Sequence, residues 1–463
     1  MRVTLIKPRI GTSDDTLYVD EARMEPLTLS VIAGLTPPDV DVRIYDDRME
    51  RIPFDEPTSL VGITVETWTA RRAYQIADEY RQRGVPVVLG GVHTTLATEE
   101  ARAHADSVFL GDAEQGWPEV VADAARGRLQ PVYRASPGVA QSRGLRPRRD
   151  LYRGKGYLPI HLMQFSRGCP FACTFCAVSR YFDRRLYHRH IDEIVAELAT
   201  LEKKIVFFVD DNFTANPELA KELCRALIPL KIRWVSQGSI DMTEDPELMS
   251  LMAESGCLGH VIGFESLDPE AIRRMGKGHP NILHSAAGPY ARQLEILRDY
   301  GLQTWAALTF GHDTDTLDTV KRTLDWAIRQ KFAFAAFNVL TPYPGTELYR
   351  SLQKEDRLLY GGRWWLHPDY RVNATPFVPR RIDPDELTRA LAEARHTWSR
   401  PLTILRRFLD FRTHLRSPYR AGVYLTYNPL VRREVRRKVG LRFGLEPGTA
   451  SFDQYRSADA HSH

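Results

Sequence analysis

Three of the five cysteines in this 463-residue chain fall within Ser166-Arg-Gly-Cys-Pro-Phe-Ala-Cys-Thr-Phe-Cys176. Cys169, Cys173 and Cys176 thus stand in a C-x3-C-x2-C spacing. Soft thiolates are the ligands an iron-sulfur cluster requires, and so short a loop can wrap three of them around one face of a cubane. A 4Fe-4S cluster takes one protein ligand per iron, so a three-thiolate loop leaves one iron open to a small molecule. Phe171 and Phe175 suit a loop that shields such a group. A structural zinc is the competing expectation; it needs a fourth ligand, for which His188 or His190 could serve. Cys224 and Cys257 stand alone and read as small buried hydrophobes, so the cysteines form no disulfide framework.

A loop of this kind needs a rigid base, and the surrounding pattern supplies one. A series of β-rich runs, at Leu162 to Ser166, Ile205 to Val209, Arg233 to Gln237, His260 to Gly263, Gln303 to Phe310 and Ala333 to Leu340, is separated by helix-length segments. That alternation predicts a partial (β/α)6 barrel over 159–380, with active residues just after the strand C-termini. Several of those ends are polar: Asp210, Asp211 and Asn212; Gln237 and Ser239; Glu265. They either line a site or cap the following helices. Gly311, His312 and Asp313 offer an acid/base pair, His312 and Asp313 being catalytic candidates. Tyr343, in the turn Thr341-Pro-Tyr-Pro-Gly-Thr346, is a third catalytic candidate, lining the substrate cavity, unless the segment serves only as a rigid strand-to-helix turn.

Before the barrel, Val3 to Ile6, Val40 to Tyr45, Leu60 to Val65, Val85 to Leu89 and Ser107 to Leu110 alternate with helical stretches such as Ala70 to Arg83. This predicts an open, doubly wound, Rossmann-like α/β domain over 1–135. Its Gly90 and Gly91 directly follow a strand, where glycine lets a planar ligand or phosphate approach the backbone. No G-x-G-x-x-G occurs, which argues against a nicotinamide site. Residues 136–158 carry no sustained period and are rich in Arg, Pro, Gly and Ser, the composition of a linker draped over a surface. From 381 to 463 the expectation is helical and basic, with no further strands. Between Arg400 and Arg442 there are twelve Arg or Lys and two acids, Asp410 and Glu434.

The cysteine loop, placed after the first barrel strand, resembles the signature of the radical S-adenosylmethionine superfamily. The resemblance implies that the open iron binds the amino and carboxylate groups of S-adenosylmethionine, whose cleavage yields a deoxyadenosyl radical. Asp210, Asp211 and Asn212 then occupy the place of a Gly-Gly-Glu that receives the methionyl amino group, a motif this sequence departs from. Gln237 and Ser239 become ribose partners, and Glu265 a ribose or methionyl contact. The N-terminal domain resembles the cobalamin-binding domain of one subfamily. Gly90, Gly91, Val92, His93, Thr94 and Thr95 match its G-G-x-H-x-T stretch, Thr64 and Thr67 are their neighbours, and Glu114 lies in the matching acidic turn. The D-x-H-x-x-G motif that supplies a lower cobalt ligand in many mutases is absent, so His93 is not assigned as a cobalt ligand. A vestigial domain that keeps the fold without the corrin is the alternative.

The expected activity is radical methylation of an unactivated carbon in a small-molecule or lipid substrate. The alternatives are a non-methylating radical reaction (dehydration, deoxygenation, epimerisation or ring formation) and a non-enzymatic metal-binding or cobalamin-sensing protein. An external electron donor, a flavodoxin, ferredoxin or reductase, follows from the resemblance. A net charge of +4 gives no reason to expect nucleic acid as a partner. No apolar run approaches the ~18–20 residues of a membrane span, and the start of the chain has no signal-peptide pattern. A cytoplasmic protein is expected, and the basic C-terminal region is a candidate for peripheral contact with a membrane.

Overall fold

The computed structural model describes residues 1–12, 23–135, 144–201, 205–277, 290–438 and 440–445. The first part of the expected linker, 136–143, and the tail 446–463 lie outside the described residues. The chain divides into two compact units: Met1–Tyr157 with Leu359–Val372 and Arg437–His463, and Leu158–Leu358 with Asn373–Arg436.

The first unit is built on six parallel strands: β1 (Arg2–Lys7), β2 (Asp41–Asp46), β3 (Leu60–Thr64), β4 (Val87–Gly90), β5 (Ser107–Leu110) and β6 (Val132–Arg134). Their order is β2-β1-β3-β4-β5-β6, and the sixth was not anticipated. Near-continuous apolar runs such as Leu60-Val61-Gly62-Ile63 mark strands buried on both faces. Gly62 serves close packing, because a Cβ there would lie 3.0 Å from Leu5 and 3.1 Å from the Trp117 ring.

The described part of the expected linker is held by Tyr152 and Tyr157 instead of lying draped on the surface. Tyr152 is buried and donates to the Pro26 carbonyl at 2.6 Å, while Tyr157 donates to Asp46 at 3.0 Å. Tyrosine hydroxyls provide the anchoring that the Arg/Pro/Gly composition conceals. The segment Leu359–Val372, expected in the barrel, falls in the first unit with the chain end. Trp364 is fully buried and packs on Trp68 (5.0 Å), Tyr370 (5.1 Å) and Phe443 (6.0 Å). Contrary to the expectation of no strands beyond 380, Arg442–Phe443 pairs antiparallel with Gly11–Thr12.

The second unit is a sheet of six parallel strands: β7 (His161–Met163), β8 (Ile205–Phe208), β9 (Arg233–Gly238), β10 (Cys257–Glu265), β11 (Gln303–Phe310) and β12 (Phe334–Val339). They pair in sequence order, as a partial barrel requires. The helices after β8, β9 and β10 start on the same signal: Asn216-Pro217, Asp245-Pro246 and Asp268-Pro269. In each, the cap side chain accepts a backbone N–H and proline fills the first helical position, where its missing N–H costs nothing. The polar residues at the strand ends are thereby released from capping.

Helices Pro384–Trp398, Pro401–Phe408 and, up to Arg436, Pro418–Lys438 complete this unit. Arg407, fully buried, ties them to β12: it donates to the carbonyls of Phe332 (2.9 Å), Ala333 (3.2 Å) and Trp398 (3.2 Å), with its guanidinium 3.7 Å from the Trp398 ring.

Within the barrel, His260 is fully buried between Ser236 Oγ (2.9 Å) and Cys257 Sγ (3.3 Å). Burial pushes it down to about 3. The unfolded chain takes up this proton below ~6.5 while the folded chain does not. Stability is therefore full above that pH and falls toward pH 3, by at most ~1.4 kcal/mol per pH unit. His260→Phe is expected to reduce the loss between pH 7.5 and 5.0, measured by urea unfolding at each pH.

Candidate functional site

The cysteine loop leaves β7 through a small hairpin. Ser166–Gly168 pairs antiparallel with Leu186–His188, so the first barrel strand ends at Met163, short of the expected Ser166. Gly168 has φ +85°, and a Cβ there would lie 2.1 Å from the Arg185 carbonyl oxygen, so this position demands glycine. Two carboxylates from the end of β8 grip the hairpin. Asp210, fully buried, accepts from Phe165 N (3.3 Å), from Ser166 N and from Ser166 Oγ (2.6 Å). Asp211 accepts from Gly168 N at 2.8 Å. Burial pushes Asp210 up to about 7, against the pull of these donors.

Cys169, Cys173 and Cys176 are half-buried and free. Burial raises the Cys169 thiol and pushes Cys173 up to about 11, and each feels the charge of neighbouring thiolates. Burial thus favours the neutral thiols; as three thiolates they are stable only around a cation, and soft sulfur donors suit iron. Among the described residues no group of three or more Cys, His, Asp or Glu is drawn into a closed metal cage, these thiols included. His188 packs its ring on Phe165 at 5.0 Å, and His190 precedes the helix Ile191–Ala199; among the described residues neither is gathered with the thiols into a metal-holding group. Asn212 points its amide nitrogen at Cys169 Sγ, 4.0 Å away.

The other strand ends surround this loop differently from one another. Gln237 donates to the Asp210 carbonyl at 3.0 Å, and Ser239 N donates to Thr214 Oγ1 at 3.2 Å. Glu265 follows a register shift in β10 and has φ +61°. Its carboxylate pairs with Lys277 at 2.7 Å, and the Lys277 charge pulls the Cys173 thiol down. Lys277 was not anticipated; it belongs to no periodic pattern and meets Glu265 only in the fold.

A cavity of about 200 Å³ opens beside the loop, bordered by Thr174, Phe175, Arg274, His312, Asp313 and Leu348. His312 is buried, with Nε2 3.0 Å from Thr309 Oγ1. Asp313 meets Arg357 and Arg380 at 3.1 Å and Arg274 at 3.6 Å. These two are thus held by separate partners and form no acid/base couple with each other. Tyr343 is half-buried; its carbonyl accepts from Thr346 Oγ1 at 2.7 Å, at the start of helix Glu347–Lys354.

In the first unit the ends of β3 and β4 carry the glycine-bearing turn. Gly91 has φ +101°, and a Cβ would sit 2.8 Å from the Val65 carbonyl oxygen. Val92 is exposed, and Thr64, Gly90 and Thr95 are partly so. Thr94 is fully buried and donates to the Gly90 carbonyl at 3.2 Å. His93 is fully buried too, with Nδ1 3.1 Å from Thr67 Oγ1 and Nε2 3.1 Å from Glu100 Oε1. Both its nitrogens are engaged. Tyr74 (3.0 Å) and Trp365 (2.9 Å) donate to the same Glu100 oxygen. Glu114 is buried in the turn Ala113–Gln115.

The second unit is thus a partial barrel that presents three thiols on a loop after its first strand. Residues 163–327 match the Radical SAM superfamily. The bacteriochlorophyllide d C-12(1)-methyltransferase of Chlorobaculum tepidum is 30% identical over 83% of this chain and 84% of its own. The hopanoid C-2 methylase of Rhodopseudomonas palustris is 24% identical over 91% of this chain and 81% of its own. The radical S-adenosylmethionine methyltransferase TsrM from Kitasatospora setae, solved with cobalamin and a [4Fe-4S] cluster, shares the fold: TM-score 0.60 at 17% identity, over 94% of this chain and 99% of that one. The chain belongs to the radical S-adenosylmethionine superfamily and is an enzyme. Its cofactors accordingly include a 4Fe-4S cluster and S-adenosylmethionine.

Asp210→Ala leaves two backbone donors of the loop hairpin without a partner, at a cost of ~1–3 kcal/mol each. The variant is expected to retain less iron and sulfide after anaerobic reconstitution than the wild type. Elemental analysis at matched protein concentration checks this.

Proposed function

We propose that this protein is a cobalamin-dependent radical S-adenosylmethionine methylase acting on an unactivated carbon of an apolar small-molecule or lipid substrate. The observation that carries the reading is the match across both units to a bacteriochlorophyllide methyltransferase. The hopanoid methylase, similar over still more of the chain, supports an apolar substrate class. The partners on this reading are that substrate, an external electron donor of the flavodoxin, ferredoxin or reductase type, and a membrane surface met through the C-terminal region.

When bound, the reduced cluster and S-adenosylmethionine supply a hydrogen-abstracting radical, and cobalamin supplies the methyl group. The chain's own part is positional. Cys169, Cys173 and Cys176 hold the cluster. Asp210 and Asp211 fix the hairpin that presents them, so we assign these carboxylates to the loop backbone in place of the methionyl ammonium. Glu265, paired with Lys277 beside Cys173, is the carboxylate left for that ammonium or the ribose, with Asn212, Gln237 and Ser239 as its polar neighbours. Thr64, Gly90, Gly91, Val92 and Thr95 offer the corrin a bare, partly exposed turn at the ends of β3 and β4. Thr67, His93 and Thr94 are buried behind it and hold its shape, and Glu114, buried in the turn after β5, is its acidic neighbour along the sheet.

Anaerobic turnover separates this reading from its alternatives. The reconstituted protein is supplied with cobalamin, reductant, S-adenosylmethionine and either a bacteriochlorophyllide or a hopanoid. Methyl transfer gives S-adenosylhomocysteine together with deoxyadenosine. Deoxyadenosine alone indicates a non-methylating radical reaction, and no turnover, unchanged in Cys173→Ala, indicates a non-catalytic protein. Val92→Arg places a charged side chain on the proposed corrin-facing turn. It is expected to lose at least about tenfold in hydroxocobalamin affinity by absorbance titration, because an ion cannot be desolvated there without a partner. Its iron content should stay at the wild-type level.

A further inference from the structure

Helix Pro401–Phe408 is turned inside out for a surface helix. Its arginine Arg407 is fully buried, whereas Leu402 is 81% exposed and Leu405 55%. Beyond the helix end, Leu409 is 48% exposed and Phe411 76%. At ~100° per residue, Leu402, Leu405 and Leu409 fall within about 60° of one another. Arg407 lies about 140° from Leu402 on the same wheel, which accounts for its contacts with the barrel. The outward face is therefore a ridge of large apolar side chains. Burial of Arg407 explains the helix's orientation; it does not explain why leucines occupy the positions opposite.

The exposed charges that the segment itself carries have one sign. Arg400 and Arg406 are exposed, and neither forms an ion pair among the described residues. Arg406 lies about 40° from Leu402 on the wheel. From Arg400 to Arg433 the sequence holds a single acid, Asp410, and it is buried. Arg412, by contrast, is committed to Glu295 (2.6 Å) and Asp299.

We infer that Leu402, Leu405, Leu409 and Phe411, with Arg400 and Arg406, form a docking surface for an anionic lipid bilayer. Leucine and phenylalanine side chains enter the headgroup and acyl boundary, while arginines meet phosphate from above it. A second copy of the chain fits less well. A two-fold contact through this patch sets each subunit's Arg400 and Arg406 against the same residues of its mate, with no exposed acid in the segment to offset them. The inference gives the membrane contact of the proposed function its surface. It brings the enzyme to a compartment where an apolar substrate is concentrated.

The full-length protein is floated with phosphatidylcholine vesicles, with and without phosphatidylglycerol. Binding is expected on the phosphatidylglycerol vesicles and is expected to weaken as salt rises. Leu402→Asp with Phe411→Asp should lower it at least about tenfold. Arg406→Glu should lower it roughly tenfold on anionic vesicles alone. Both side sets point to solvent, so iron content and thermal unfolding of these variants should match the wild type. Failure of the wild type to float with anionic vesicles, or equal binding by the double variant, overturns the assignment. So does a concentration-dependent dimer, seen by light scattering, that the double variant abolishes. Deoxyadenosine and S-adenosylhomocysteine are measured on the same preparations without vesicles. Their formation in a protein that ignores lipid would reject the docking surface and leave the methylase reading standing.

Discussion

Two adjacent carboxylates at the end of one strand decide where the cysteine loop begins. Asp210 and Asp211 between them take the backbone N–H groups of Phe165, Ser166 and Gly168, the last residues before Cys169. Carboxylate acceptors hold backbone donors more strongly than neutral ones, and they come from a strand that is itself hydrogen-bonded to β7. The first thiol therefore leaves the barrel from a fixed point. Burial works against this arrangement, since it favours the protonated form of Asp210. Three donors converging on that carboxyl are what keep it in place.

The same constraint separates what could be read from sequence from what could not. The thiol spacing and the strand-helix alternation are local signals, and all six barrel strands form in the segments those signals mark, the first ending early at Met163. Asp210 was also visible as a polar residue at a strand end. Its role was not, because its partners are backbone groups 44 and 45 residues away, and backbone donors carry no sequence signature. Helix capping, the competing explanation for these polar ends, is met a few residues later by Asn216, Asp245 and Asp268. Lys277 and Trp365 were missed for a related reason: each meets its carboxylate only in the fold, 12 and 265 residues away along the chain.

The domain boundaries show the limits of reading order along a chain. Composition shifts mark a linker near 136–158, yet Tyr152 and Tyr157 make its second half part of the first unit. The pair Trp364 and Trp365 sits in a Gly-rich, non-periodic stretch that gives no hint of belonging there. Trp364 nonetheless lies fully buried against Trp68 and Phe443, and Trp365 completes the donor set on Glu100. The first unit cannot close this aromatic cluster until residue 443 has been synthesised, long after its sheet is available. Its final stability is thus a late event, and a chain truncated after β6 keeps the sheet's residues but loses Trp364, Trp365 and Phe443.

Glu265 shows how the barrel holds a side chain away from its default direction. A regular strand would continue the alternation set by Gly263, but the ladder shifts between Gly263 and Glu265. A bulge of this kind re-aims the residue that follows it. Glu265 then adopts φ +61°, a conformation an L-residue keeps only where its surroundings insist on it. Those surroundings are identifiable: Ser266 N donates to the Phe264 carbonyl at 2.8 Å, Lys277 holds the carboxylate, and Gly263 leaves open the space that both side-chain ends fill. A Cβ at position 263 would lie 2.4 Å from Glu265 Oε1 and 2.5 Å from Lys277 Nζ. The missing side chain at Gly263 is therefore as much a part of the charged pair beside Cys173 as the two residues that form it.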